Sequence, residues 1–488
     1  MGCTKSIPVL NIHQEPKHEK YLKQGKPCDN FWGIGIENET YLQFNKLSNV
    51  QASFLKNNYS RERYSVAYFN DYRAGFIGDC LKRIDSKKTY DIPIYLNAHS
   101  FTNTDSKNNP RKKYTKLCEP NPNFKGTSLH EDLINAEPYF SEEFNNKFTF
   151  DGDSIEFTTL NFYKGNVKSC VEELISYKKE FLEKINDTFQ KNDIFSTYGS
   201  VIFPEINHGF VKFMTNMYNI TICNNSTYHI NITLPTELDR DGKVKDRKKF
   251  IDQHMNAARG VQWIEPFLVA LYGSPDIFSV LSEKFHKGSA RLSFCRYVGL
   301  CNYNTEEKET ILGKKLNDLD SSNVKWYNAL TQGSPYIPLQ TIGYDINFNK
   351  FENHGLEFRF FDWFPECYLE DIMNILVLVM DFSIRHKFKN PIRDDVWNEV
   401  CKGCVQQGNE YKLTKGVENH FIENFIPLES GTIEYNENIE VFFQSIVDIL
   451  YKDRSDISEK LSPNMKIPKL FNYNRDVWKK YHEILKIT

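Results

Sequence analysis

The stretch FWGIGIENETYLQF, residues 31–44, is apolar enough for a buried β-strand, yet Glu37 and Glu39 stand in its middle. Side chains alternate along a strand, so the two carboxylates share one face, roughly 7 Å apart. Desolvating an unpaired carboxylate is expensive, so a fold that accepts this strand must supply a counter-charge. Three more strand-like segments make the same demand. STYHINITLP alternates cleanly, with His229 and Asn231 on one face; IEFTT carries Glu156; HGLEFRFFDWFP carries Glu357, Arg359 and Asp362 inside an apolar run. Taken singly, each has a bland reading as a solvated strand acid or a satisfied core histidine. Together, several acids and one imidazole would share a sheet face only around cations. Oxygen-rich ligation with one nitrogen suits Mg²⁺ or Mn²⁺ holding a polyphosphate, whereas structural zinc prefers thiolates. There is no Walker A loop, Rossmann glycine pattern or kinase signature, so if ATP binds, metals must hold its phosphates.

The rest of the chain narrows the class. With 488 residues there is enough chain for one large core or two. The net charge of −3 provides no global field for nucleic acid. Eleven scattered cysteines and no signal peptide predict reduced thiols and a cytoplasmic protein. Cys401 and Cys404 form a CxxC without a second ligand pair and read as incidental. The apolar run NILVLVMDF from Asn374 is too short to span a bilayer. The opening MGCTKS matches an acylation signal, with Gly2 as myristoyl acceptor, Ser6 in the expected place and Cys3 placed for a palmitoyl chain. Two chains hold a protein stably where one does not, and Lys17, Lys20, Lys23 and Lys26 would favour an anionic leaflet. The expectation is a location at the cytoplasmic face of a membrane.

Residues 1–30 read as a flexible arm, 31–390 as a catalytic domain with a turn-rich insertion at about 86–145, and 391–488 as a mostly helical extension. Arg111, Lys112 and Lys113 in the insertion read as a solvated face. Apolar spacing predicts helices over 166–190, 261–272 and 368–386, the second ending at a Gly-Ser-Pro turn. SARLSFCRY has strand composition. The class is α+β.

The segments GIENET (35–40), IEFTT (155–159), HINITLP (229–235), ARLSFCRY (290–297) and LEFRFFDWFP (356–365), with the helix IEPFLVALYGSPDIF (264–278), follow an order that resembles the glutamate–cysteine ligase family. The closest type is the bacterial gamma-glutamylcysteine synthetase, within the glutamine-synthetase-like carboxylate–amine ligases. The resemblance covers about 33–385, with large insertions. It implies a curved antiparallel sheet with the active site on its concave face. It also implies an ATP-dependent reaction through an acyl phosphate, with glutamate and cysteine as the default small-molecule substrates. By this resemblance Glu37, Glu39, Glu156, His229 and Glu357 would hold two or three Mg²⁺, and Arg359 would stabilise the transferring phosphoryl group. His229 and Asn231 would lie beside the nucleotide, and Arg291 and Tyr297 would contact glutamate and its acyl phosphate.

The chain departs from the family in two places. A further acid precedes the Glu156 equivalent in the family, and either Asp151 or Asp153 would take that role here. Arg296 stands where the family has small or apolar residues and would alter the acceptor pocket. The alternatives are the same chemistry on another amine, a peptide or a protein, and an inactivated, lipid-anchored binding protein.

Overall fold

In strand β1 (Phe31–Thr40), Ile34 and Ile36 on one face are fully buried, while Gly35, Glu37 and Glu39 alternate onto the other. The same division runs through five further strands of one antiparallel sheet: β2 (Phe148–Asp151), β3 (Ser154–Thr158), β4 (Thr227–Thr236), β5 (Ile346–Phe348) and β6 (Leu356–Asp362), in the order β5-β6-β4-β1-β3-β2. Register aligns Ile34 with Ile232, Ile36 with Ile230, and Ile230 with Phe358, so one apolar face is continuous across the sheet. A one-residue slip would turn that whole face outward, which fixes the register. The computed structural model describes residues 30–48, 93–102, 114–116, 119–120, 128–151, 154–191, 198–206, 214–216, 219–220, 226–283, 285–294, 299–310, 344–350, 353–426 and 433–486. The acylation signal at Gly2 and Cys3, the basic residues 17–26 and 111–113, and Asp153, Arg296 and Tyr297 lie outside the described residues.

Helices cover the apolar face. Helix α1 (Val167–Gln190) begins at a reciprocal cap between Asn166 and Ser169 and buries Val171, Leu174, Phe181 and Ile185. Its Cys170 thiol approaches the carbonyl of Ile34 in β1, 3.6 Å away. Helix α2 (Arg247–Tyr272) is buried on all sides from Val261 onward and forms the centre of the helical layer. Pro266 inside it has no N–H, which strands the carbonyl of Gln262 four residues earlier. The indole Nε1 of Trp397 donates to that carbonyl at 3.2 Å, so the gap in the ladder is filled from outside. Helices α3 (Leu369–Arg385), α4 (Asp395–Gln407), α5 (Lys415–Phe425), α6 (Ile439–Lys452) and α7 (Tyr473–Lys486) complete the layer.

The last hundred residues share the core of the rest: Phe267 packs on Trp397, Phe421, Phe442 and Phe443. Two buried polar residues bolt them down. Asn474 donates to the carbonyls of Gly273, Lys287 and Gly288 and accepts from the backbone of Asn409. Asp381 receives the Ser455 N–H and hydroxyl, the Ser458 hydroxyl and Arg385. Cys401 and Cys404 are buried on α4, where burial pushes the Cys404 thiol up and away from reactive thiolate. Among the described residues no helix is long and apolar enough to cross a membrane.

Two segments differ from the sequence expectation. Ala290–Phe294 is a short helix, not a strand. Ser289 caps it by accepting from the Leu292 N–H, a local hydrogen bond that outweighs the strand-like composition. Within the turn-rich insertion, Pro93–Leu96 is a strand paired with Leu42–Ser48, and Leu129–Ala136 is a helix opened by a Ser128–Glu131 capping box.

Candidate metal centre

On the face away from the helices, register does the assembling. Glu37 of β1 is directly opposite His229 of β4. Glu39, two residues on, is opposite Glu156 of β3 on one side and Thr227 on the other. Asn231 of β4 is opposite Glu357 of β6, and Glu357 is opposite Asn347 of β5. Glu37, Glu39, Glu156, His229 and Glu357, read from four separate strands, therefore lie on one face, whereas Asp362 accepts from the Ser274 N–H beyond the end of α2.

Glu37, His229 and Glu357 each bring a ligand atom within 4.8 Å of the others. His229 Nδ1 is 3.3 Å from Glu37 Oε2 and 3.7 Å from Glu357 Oε1, and its Nε2 is 3.8 Å from Glu39 Oε1. Glu357 is fully buried, with Asn347 Nδ2 donating to one oxygen at 2.6 Å and Lys350 Nζ to the other at 2.9 Å. Glu156 accepts from the Thr158 hydroxyl at 2.9 Å.

Crowding of like charge marks the electrostatics. The Glu156 carboxyl is pushed up to about 8 by burial first, then by the charges of Glu37, Asp151 and Glu39, against the opposing Thr158 hydrogen bond. Burial alone would lower the Lys350 ammonium, but Glu37 and Glu357 together raise it above its ordinary value. One cluster thus carries an acid that holds its proton more tightly than usual and a lysine whose charge the neighbouring acids favour.

The donor set fits a hard divalent cation. It is carboxylate-rich with a single imidazole, and His229 Nε2 is buried with no hydrogen-bond partner. Nδ1 faces Glu37 and Glu357, and Nε2 faces Glu39, so each ring nitrogen is turned toward acid oxygens.

Glycine shapes the neighbouring floor. A Cβ on Gly35 would stand 2.1 Å from the ring of Phe162, and one on Gly33 would stand 2.6 Å away. Phe162 therefore lies flat over β1 just beyond Glu37, where no other residue type leaves room.

The expected arginines are placed differently from each other. Arg359 is two residues past Glu357, and its Nε is shielded from solvent without a hydrogen-bond partner. Arg291 is buried, and its Nη1 donates to the carbonyls of Arg359 and Phe361, at 3.0 and 3.2 Å. These carbonyls flank the point where the β4–β6 register shifts between Tyr228 and Ile230. Arg291 thus braces the irregular strand that carries Arg359. Asp151 is opposite Ser154 at the exposed end of the β2–β3 hairpin, on the Glu156 face.

Three contributors were not anticipated. Asn347 and Lys350 reach Glu357 because the β5–β6 hairpin folds back, a signal available only as a strand pattern in INF seven residues before LEF. Asp345 accepts from Tyr303 N and Gln262 Nε2, and its own carbonyl receives the Arg359 N–H. Burial pushes Asp345 and its neighbour Glu265 up, and Glu265 accepts from Cys301 N at 2.7 Å. The polar spacing of Gln262 and Glu265 in an apolar helix was the available clue.

No family model matches the sequence. The chain is 38% identical over 488 residues to "Uncharacterized protein R704" of Acanthamoeba polyphaga mimivirus, with 97% of this chain and 84% of the relative aligned. The chain belongs to the family of that mimivirus protein. The alignment takes in nearly all of this chain, so the likeness is not confined to one segment of it.

Proposed function

We propose that this protein is an ATP- and Mg²⁺-dependent carboxylate–amine ligase with a glutamine-synthetase-like catalytic fold, and that glutamate and cysteine are its substrates. The observation that carries the reading is the convergence of Glu37, His229 and Glu357, with Glu39 and Glu156 beside them, on one face of an antiparallel sheet. Glu37, Glu39, Glu156, His229 and Glu357 would hold the cations, with Asp151 the remaining candidate at the hairpin end. Bound there, divalent cations supply charge neutralisation for two anionic reactants that otherwise repel.

The remaining roles belong to the chain. An acid oxygen attacks the γ-phosphorus of ATP, ADP leaves, and an acyl phosphate forms. The amine nitrogen then attacks the acyl carbon, phosphate leaves, and the amine proton is lost to solvent or a base. Arg359, with an Nε uncommitted within the protein, is suited to stabilise charge on the transferring phosphoryl group. Arg291 would act at one remove, by holding the strand that aims Arg359. Asn231, opposite Glu357 on the same face, supplies an amide to the nucleotide side.

Purified protein with Mg²⁺, ATP, glutamate and cysteine is expected to release phosphate only when both amino acids are present, with γ-glutamylcysteine detected by mass spectrometry. Glu37→Gln is expected to lower turnover by about 10²-fold or more. A screen of other amines and peptides would move the acceptor assignment if one of them replaced cysteine. If Mg-ATP binds but no acid–amine pair stimulates turnover, the ligase reading is wrong. If Mg-ATP does not bind, the chain is a binding protein on this scaffold.

A further inference from the structure

Lys350 was not among the expected site residues, yet its ammonium is 2.9 Å from Glu357 Oε1 and 3.6 Å from Glu37 Oε2. These are the same two oxygens that face His229 Nδ1 across the triad. A divalent cation bridging Glu37 and Glu357 would therefore need the atoms that the lysine now holds. Two cations cannot share one pair of oxygens at such range without strong repulsion. The lysine is also placed to leave. It follows Asn349, whose φ is +56°, in the connection between β5 and β6, and its side chain keeps 37% of its surface exposed. Glu37, His229 and Glu357 come from regular strands and are far more enclosed.

We propose that Lys350 is a built-in counter-cation that holds Glu37 and Glu357 together before a divalent ion arrives and is displaced when it binds. This rests on the metal-centre reading of the triad and adds to it an internal cation that competes for the same oxygens. The lysine spares the metal-free protein the repulsion of adjacent carboxylates. In return it weakens one metal position, so that this position fills only when the cation is abundant or is delivered with an anionic ligand that takes up the freed ammonium. Lys350 is a positioning residue here, acting through the two carboxylates.

The test is Mn²⁺ binding to the full-length protein without nucleotide, by calorimetry and by loss of the free-ion electron paramagnetic resonance signal. Lys350→Met is expected to bind Mn²⁺ about ten-fold more tightly than wild type, because the competing charge is gone. Lys350→Arg is expected to stay near wild type. Glu37→Gln is the control for the site. If Glu37→Gln loses binding while Lys350→Met is unchanged or weaker, the lysine has no such role and the metal centre stands. If neither wild type nor Lys350→Met binds Mn²⁺, both readings fall. A second readout avoids reliance on a variant: trace acetylation of wild-type protein, quantified at Lys350 by mass spectrometry. Labelling is expected to rise on addition of Mn²⁺, and labelling that is unchanged or falls overturns displacement.

Discussion

Glu156→Gln is expected to stabilise the metal-free protein, and to do so only above mildly acidic pH. In the folded chain the Glu156 carboxyl titrates near 8 instead of 4.5, because it is buried against Glu37, Asp151 and Glu39. Below 4.5 the group is protonated whether the chain is folded or not, so wild type and variant match. Between 4.5 and about 8 the unfolded chain ionises while the folded carboxyl keeps its proton, so the folded state loses ground as pH rises. Above about 8 the loss is complete, with a ceiling of about 5 kcal/mol for that gap. Because the neighbouring acids titrate together with Glu156, the separation should stay below that ceiling. Glutamine keeps the acceptor for the Thr158 hydroxyl and does not titrate, so the variant escapes the loss. The assay is urea denaturation of both proteins in chelator, at intervals from about pH 5 to about pH 8.5. The midpoints should separate progressively in favour of the variant, and saturating Mg²⁺ should close the gap by stabilising the wild-type carboxylate. A difference that does not change with pH, or a variant less stable than wild type at about pH 8, would refute the assigned crowding.

Three further outcomes follow from packing. Asp381→Asn should cost about 3 kcal/mol in chemical denaturation, because a buried acceptor of four donors gains an NH₂ facing them; hydrogen exchange should report early opening of the 456–461 helix. Gly35→Ala should cost about 1–3 kcal/mol by driving a Cβ into Phe162, and Phe162→Leu in the same chain should recover part of it, read by thermal melts. Glu366→Gln should cost about 3 kcal/mol at neutral pH, because Lys178, buried against Asn38 and Glu366, keeps a charge without its partner. That deficit should shrink as pH rises, since burial already lowers the Lys178 pKa and a neutral amine needs no counter-ion.

The main sheet was legible because its strands obey a period of two, and each buries apolar residues such as Ile34, Ile36, Ile230 and Phe358 on one side. The long helices were legible by the same logic at period 3.6, as in the Leu174–Phe181–Ile185 stripe of α1. The metal candidates were legible because a charge inside an apolar alternation is costly unless something answers it. What failed was short or relational. ARLSF has too few residues for a period, and its decisive signal was the capping Ser289. Lys350 looked like any turn lysine, since its partnership with Glu357 exists only once the β5–β6 hairpin has closed. The Arg291 contacts run to backbone carbonyls, which a side-chain pattern cannot advertise, and Asp345 meets Gln262 Nε2 and Tyr303 N only once distant segments have folded together.

Register pairs Glu37 with His229, 192 positions along the chain, and Glu357 arrives later still. A ribosome therefore releases β1, with its two apolar isoleucines and two acids, long before either of the strands that complete the cluster exists. A nascent segment that stops before β6 lacks Glu357, so if the triad takes a divalent ion as proposed, binding would favour the closed sheet by mass action. The same separation leaves β1 without its partner β4 until residue 236 has been made, an interval in which an apolar strand edge is open to wrong pairing. Metal occupancy in a cell would thus be a readout of finished folding.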